Sequence, residues 1–239
     1  MKIAIISDIH SNLEALTRVL SEIKVVDKVF CLGDIVGYGA NPEECVEMIR
    51  ERVDLCIAGN HDYGVIGKTD IQYFNSAARQ AIIWTRNHIS ESAKKYLGNL
   101  TLTESYDNMS FTHGVFSFPE SWNYIFSLKD AVKEFHYMDN NIGFVGHSHI
   151  PGVFFEKNGE YGTLKDSEFT FEDRVRYIVN CGSIGQPRDG DPRASFCIID
   201  TDDEKIIMHR VAYDVERARK KIIEAGLPEN LGDRIIYGR

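Results

Sequence analysis

The residues of this chain best suited by type and spacing to do chemistry lie in five short clusters. They are "SDIHSN" with Asp8 and His10, "LGDIVG" with Asp34, "AGNHDYG" with Asn60, His61 and Asp62, "FTHGVF" with His113, and "GFVGHSHIPG" with His147 and His149. In the last cluster, extended backbone would place both imidazoles on one face with Cα atoms roughly 6.5 Å apart. That spacing suits neighbouring metal ions, and oxygen and nitrogen donors without thiolate suit Mn²⁺, Fe, Ni²⁺ or Zn²⁺. Each cluster also has a plainer use: Asp8 could cap a helix, Asn60 and Asp62 could form a turn, His113 could be a hydrogen-bonded core histidine, and His-Ser-His between glycines could be a surface turn.

The elements that must position these residues decide between the two uses. "KIAIIS", "KVFCLG" and "DLCIAG" read as strands, separated by helices from about Ser11 to Lys24 and from about Pro42 to Glu51, the first carrying Leu13, Leu16, Leu20 and Ile23 at helical spacing. Residues 70–98 read as helical, and "MSFTHG" and "IGFVGH" read as strands around a helix near 128–138. In the last third, "GVFFEK", "VRYIVNCG", "SFCIID" and "KIIMHRVAY" are short strands in antiparallel style, followed by a helix from about Val215 to Ala225. The pattern predicts an α/β protein with a mixed sheet or two sheets packed face to face. All five clusters then fall at or just beyond strand ends, where open α/β sheets form their ligand crevice. Five strand ends carrying metal-ligand residue types point to one shared site better than to five separate accidents.

Two divalent ions about 3.5 to 4 Å apart can clamp the attacking and leaving oxygens of a phosphoryl displacement. Asp8 and Asp34 would cancel half of their charge, so the pocket would stay cationic and select an anion. The order D-x-H, G-D, G-N-H-D, lone His and G-H-x-H, running from Asp8 to His149, resembles the calcineurin-like metallophosphoesterase superfamily. The resemblance implies a four-layer α/β-β/α sandwich, two mixed β-sheets flanked by helices, with a dinuclear centre at one edge. It implies that Asp8, His10 and His149 hold one metal, that Asn60, His113 and His147 hold the other, and that Asp34 bridges them. Manganese is the first choice, with iron, nickel or zinc as alternatives. It also implies that His61 protonates the leaving oxygen while a metal-bridging hydroxide attacks phosphorus, with Asp62 either orienting that imidazole or serving as a turn carboxylate. The glycines around "GHSH" would let backbone approach the cluster closely.

Protein phosphatases of this superfamily carry G-D-x-V-D-R-G at the second motif, but "GDIVGYGANP" has Gly37 and Tyr38 in place of the Asp-Arg pair. The chain looks more like the small prokaryotic phosphodiesterases and the diadenosine tetraphosphatase-like proteins. Arg188, in "NCGSIGQPRDGDPRASF", could supply the missing phosphate grip or be a solvated turn residue. Asn12 could donate to a phosphate oxygen or start a helix, and Tyr38 could stack on a base or cover the crevice. The expected activity is metal-dependent hydrolysis of a phosphodiester or phosphomonoester of a small or nucleotide-like substrate. Attack on a nucleoside polyphosphate of the diadenosine tetraphosphate type is an alternative, and a binding scaffold without catalysis is another.

With 239 residues, 43% of them hydrophobic and 26% charged, the chain is expected to be one large domain over 1–239. A net charge of −9 argues against stable binding of nucleic acid or an anionic membrane, both of which need a basic footprint. The five cysteines are widely spaced, without C-x-x-C, and read as buried free thiols. No apolar run reaches the length of a signal core or a membrane span, so the expected location is the cytoplasm.

Overall fold

The computed structural model describes residues 1–239. The first half runs β1 (Lys2–Ile6), α1 (Leu13–Glu22), β2 (Lys28–Cys31), α2 (Pro42–Arg52), β3 (Leu55–Cys56), α3 (Asn60–Val65), α4 (Ser76–Arg86), α5 (Glu91–Asn99), β4 (Thr103–Tyr106) and β5 (Met109–Thr112). The second half runs α6 (Leu128–Glu134), β6 (Ile142–Val145), β7 (Gly152–Lys157), β8 (Glu160–Leu164), β9 (Glu168–Thr170), β10 (Arg176–Asn180), β11 (Ala194–Asp200), β12 (Lys205–Val211), α7 (Val215–Glu224) and α8 (Glu229–Tyr237). The strands form two six-stranded sheets, ordered β3-β2-β1-β11-β12-β9 and β4-β5-β6-β10-β7-β8. Each sheet has a parallel trio, β1-β2-β3 in one and β5-β6-β10 in the other, and the remaining strands join antiparallel.

Strand periodicity explains the layering. Ile3 and Ile5 of β1 enter the core between the sheets with Phe30, Phe111, Phe144, Val179 and Ile199. Ala4 and Ile6 point the other way, against Leu16 and Val19 of α1 and Val46 and Ile49 of α2. Both faces of β1 are thus apolar, which is why it reads as an unbroken hydrophobic run. The outer face of the second sheet, including Val145, Phe154 and Ile178, is covered by Ala131 and Phe135. The result is the expected pair of mixed sheets flanked by helices.

The structure departs from the sequence reading in some elements. The helical stretch 70–98 is broken into a short 3-10 turn, α4 and α5, because Asn75 and Ser90 accept hydrogen bonds from Ala78 N and Ala93 N and start new helices. The helix expected to reach 138 ends at Glu134. The elements α3, β4, β8 and β9 carry too little periodic signal to stand out, and α8 is missed although Leu231 and Ile235 lie at helical spacing; β9, for example, has three residues with exposed Glu168 and Thr170 on either side of Phe169. Four of the cysteines are buried thiols and Cys56 is half-buried. No helix is long and apolar enough to cross a membrane.

Phe144 is 0% exposed and stacks on Phe111 at 5.7 Å between the sheets. Phe144→Ala should lower unfolding stability by about 3–5 kcal/mol. A urea titration of the two proteins checks this, and a loss under about 1 kcal/mol would show that the inter-sheet core repacks.

Candidate metal centre

The loops after β1, β2, β3, β5 and β6 bring all five clusters to the carboxyl ends of the two parallel trios. Main-chain hydrogen bonds lace these loops together: Asp8 N to Gly33 O (3.0 Å), His10 N to Asp34 O (2.9 Å), Gly146 N to His113 O (2.9 Å) and Gly185 N to Asp8 O (2.8 Å). His147 N donates to Asp8 Oδ2 (2.9 Å), linking the loops of opposite sheets. Seven of the twelve non-glycine residues with positive φ are Asp8, His10, Ser11, Asp34, Tyr38, His147 and His149. Left-handed backbone is unfavourable for L residues, and its concentration here marks a site whose geometry the surrounding fold enforces. It also corrects the extended-strand picture of "GHSH", since β6 ends at Val145 and both histidines lie on a left-handed turn. Gly146 is required there, because a Cβ would overlap Ser7 Oγ and Asp8 Oδ2, whereas Gly152 faces open space and makes no close approach.

The donor atoms fall into two groups that share Asp34. Asp8, His10, Asp34 and His149 form one, and Asp34, His113 and His147 form the other, with the donor atoms within each group no more than 4.8 Å apart. Each of the four histidines gives one ring N–H to a backbone carbonyl: His10 Nδ1 to Val36 O (3.1 Å), His113 Nδ1 to Leu32 O (2.7 Å), His147 Nε2 to Trp122 O (2.8 Å) and His149 Nδ1 to Gln186 O (2.6 Å). That fixes the tautomers and turns the other nitrogen inward. The inward nitrogens meet in pairs at 3.1 Å, His10 Nε2 with His149 Nε2 and His113 Nε2 with His147 Nδ1. Two bare imidazole lone pairs repel at that distance unless a proton or a cation sits between them. Asp8 Oδ1 and Asn60 Oδ1 are also buried without a hydrogen-bond donor. Orphaned oxygens and paired lone pairs together fit divalent cations with mixed N/O ligation.

The two couples differ in protonation, and in the His113–His147 pair a proton on His113 stands where a cation would sit. Burial opposes ionisation of Asp34, but the charge of His113 holds its carboxyl well below the usual range, and His149 does the same for Asp8. Burial pushes His147 down to about 3 and His10 down as well. His113 is also buried, yet the Asp34 carboxylate 3.3 Å from its Nε2 raises it to about 10.

His61 lies at the start of α3, its ring centroid 4.7 Å from His10 and 4.5 Å from Tyr38, and its amide donates to Asp34 Oδ1 (2.8 Å). Its Nδ1 is buried without a partner, and burial lowers its pKa to about 4. Asp62 makes no hydrogen bond to that imidazole. Its carboxylate accepts from Ile35 N (2.9 Å), Val36 N (3.2 Å) and Gly59 N (3.0 Å), tying the Asp34 loop to α3, while burial and Asp34 push its pKa up to about 7 against those amides. Asn12 is corrected too: its Oδ1 caps α1 through Ala15 N, and its Nδ2 is committed to Gly185 O (2.9 Å) and Tyr213 OH (3.2 Å), leaving no donor for a substrate. Tyr38 is 5% exposed, so it covers the crevice rather than offering a face for stacking. Arg188 is half-buried, held to Gln186 Oε1 (2.9 Å), and its guanidinium carbon lies 5.8 Å from the Tyr38 ring centre.

Residues 1–204 match the calcineurin-like phosphoesterase superfamily domain. The chain belongs to that superfamily. The uncharacterized protein MJ0912 of Methanocaldococcus jannaschii is 48% identical over 246 residues, spanning 99% of this chain and 98% of that protein. Among solved structures, a metallophosphoesterase from Sphaerobacter thermophilus is 38% identical with a TM-score of 0.88, covering 100% of this chain and 99% of the other. The hypothetical protein PH1004 of Pyrococcus horikoshii OT3, 18% identical with a TM-score of 0.81 and coverage of 100% and 98%, shares the fold. Membership of the calcineurin-like phosphoesterases supports a hydrolase role in general, and the Asp/His cluster supports divalent metal binding.

Some neighbours of this site have no signal in the sequence. Trp122 reaches it through a main-chain carbonyl, and Tyr124 stacks on His147 at 4.0 Å from a loop without periodicity. Arg234, on α8, has its pKa lowered by burial and by the charge of Arg188.

At neutral pH His10 and His147 are already neutral, whereas His113 holds a proton that must leave before its Nε2 can bind a cation. Metal uptake should therefore release a proton, and affinity should rise with pH toward about 10 and weaken as pH falls. Calorimetry with Mn²⁺ in buffers of different protonation enthalpy measures that proton; an affinity flat from roughly pH 6 to 8 contradicts this assignment.

Proposed function

We propose that the chain is a metal-dependent phosphoesterase that hydrolyses a phosphodiester or phosphomonoester of a small or nucleotide-like substrate at this site, with residues 1–239 acting as one domain. The observation that carries the reading is the pair of inward-facing imidazole couples around shared Asp34, at 3.1 Å each. Asp8, His10, Asp34 and His149 would hold one cation, and Asp34, Asn60, His113 and His147 a second. Manganese is the first candidate, since N/O ligation with carboxylates suits it. When bound, such ions supply a nucleophilic water at neutral pH and positive charge for the phosphoryl oxygens.

The chain's own residues then do the rest. His61 lines the cleft in front of the donors and is the acid for the leaving oxygen. Burial keeps it neutral in the resting protein, so it takes up a proton from solvent as the substrate binds, the substrate's negative charge offsetting that burial. Asp62 is a positioning residue: through three backbone amides it fixes the Asp34 loop relative to the helix that carries His61. Arg188, beside Tyr38, would meet a phosphoryl oxygen, a reading supported by the charge it exerts on His61 and His149. Every donor position of the superfamily pattern is filled, which favours catalysis over a scaffold role.

Protein stripped with chelator should hydrolyse bis-p-nitrophenyl phosphate or p-nitrophenyl phosphate only after Mn²⁺ is restored, and the ratio of the two rates ranks diester against monoester. Folded protein inert toward both with every divalent metal tried would overturn the reading. His61→Ala should keep its metal content while losing about 10²- to 10⁴-fold in rate on esters with poor leaving groups; an undiminished rate there removes His61 from the acid role.

A further inference from the structure

The donors occupy a narrow crevice, but the space in front of them is wide. A cleft of about 710 Å³ opens beside Asn60, His61 and His147, within the range of small-molecule sites. Its walls carry six aromatic side chains, Tyr38, Tyr63, Tyr73, Phe74, Trp122 and Tyr124. Tyr73 stands 84% exposed and Tyr124 41% exposed. Single exposed rings occur elsewhere too, as at Tyr137 and Tyr237, but here six converge on one concave site, and such a concentration marks what the site receives.

Trp122 is the fixed point of this wall. Its indole Nε1–H donates to Thr69 Oγ1 (3.1 Å), its carbonyl accepts from His147 Nε2 (2.8 Å), and its backbone is left-handed at φ 54°. A bulky residue in that conformation is held against its own preference. Its contacts with the Tyr63 and His113 rings are edge-type, at 5.9 and 6.1 Å, so no ring is stacked parallel to it. With His61 protonating the leaving oxygen from this side, the leaving group is the part of the substrate that enters the cleft.

We propose that the aromatic cleft binds a nucleobase, so that the substrate is a nucleotide whose nucleoside departs past His61, with Trp122 and Tyr73 as the stacking residues. This rests on the phosphoesterase reading above for the direction of departure, though not for base binding itself. The net charge of −9 favours a single nucleotide over a strand, whose successive phosphates would need a basic track. Stacking of a base on an aromatic side chain contributes about 1–3 kcal/mol, so the base should improve affinity by about tenfold or more.

The test compares AMP with ribose 5-phosphate, which share phosphate and sugar and differ by the base. Calorimetric titration of the full chain, in chelator and again with Mn²⁺ at low temperature, should show AMP binding about tenfold or more tightly in at least the first condition. Trp122→Ala and, separately, the exposed Tyr73→Ala should each remove a large part of that difference; Tyr73 lies at the surface, so its variant reports on the cleft even if Trp122→Ala misfolds. Equal affinity for the two ligands in both conditions, or a preference for AMP that survives Tyr73→Ala undiminished, overturns the proposal. Because binding needs no turnover, a protein that binds AMP through these residues yet hydrolyses no ester would refute the phosphoesterase reading and leave the base site standing.

Discussion

Asp34 uses its two carboxylate oxygens for different purposes, and the site hangs on that division. Oδ1 accepts the His61 amide at the start of α3, while Oδ2 lies 3.5 Å from His10 Nε2 and 3.3 Å from His113 Nε2, imidazoles brought by opposite sheets. A carboxylate this deeply buried is tolerable only with compensating charge and hydrogen bonds. The backbone supplies the hydrogen bonds, through a loop held in left-handed conformation and fastened by Asp62. The charge must come from protons on histidine or from cations, which is why the surrounding imidazoles are held with their free nitrogens pointing inward.

The sequence showed the strands and the polar clusters that follow them because both signals are local. "KIAIIS" and "KVFCLG" are unbroken apolar runs, and each cluster sits immediately after such a run. Their convergence could be anticipated from the rule that parallel strands present their carboxyl ends on one side. Other features depend on atoms that sequence does not display. Asp62 and Asn12 have residue types fit for chemistry, but their side chains are committed to neighbouring main-chain groups. Trp122 is joined to His147 by a main-chain carbonyl, so no spacing of side chains could have revealed it.

A division of labour follows from these placements. The donors and the atoms that orient them are main-chain carbonyls, main-chain amides and buried polar side chains, all locked by the parallel trios. Arg188, Tyr73, Trp122 and Tyr124 instead stand on connecting segments outside that frame. Loops around a rigid scaffold can change without disturbing it. The fold therefore preserves one set of donors while leaving the surroundings free to suit different phosphorylated partners.

The strand order carries a further consequence, for how the molecule comes into being. β1, which leads into Asp8 and His10, lies between β2 and β11, and β11 spans Ala194–Asp200, nearly two hundred residues downstream. The donors themselves stretch from Asp8 to His149. During synthesis at roughly 5–20 residues per second, the amino-terminal carboxylates emerge well before the final histidines, and the central strand of their sheet waits longer still for its second neighbour. Contacts so distant along the chain close slowly. The donor set is completed only near the end of assembly, so a nascent or truncated chain displays half of it on an unfinished sheet edge.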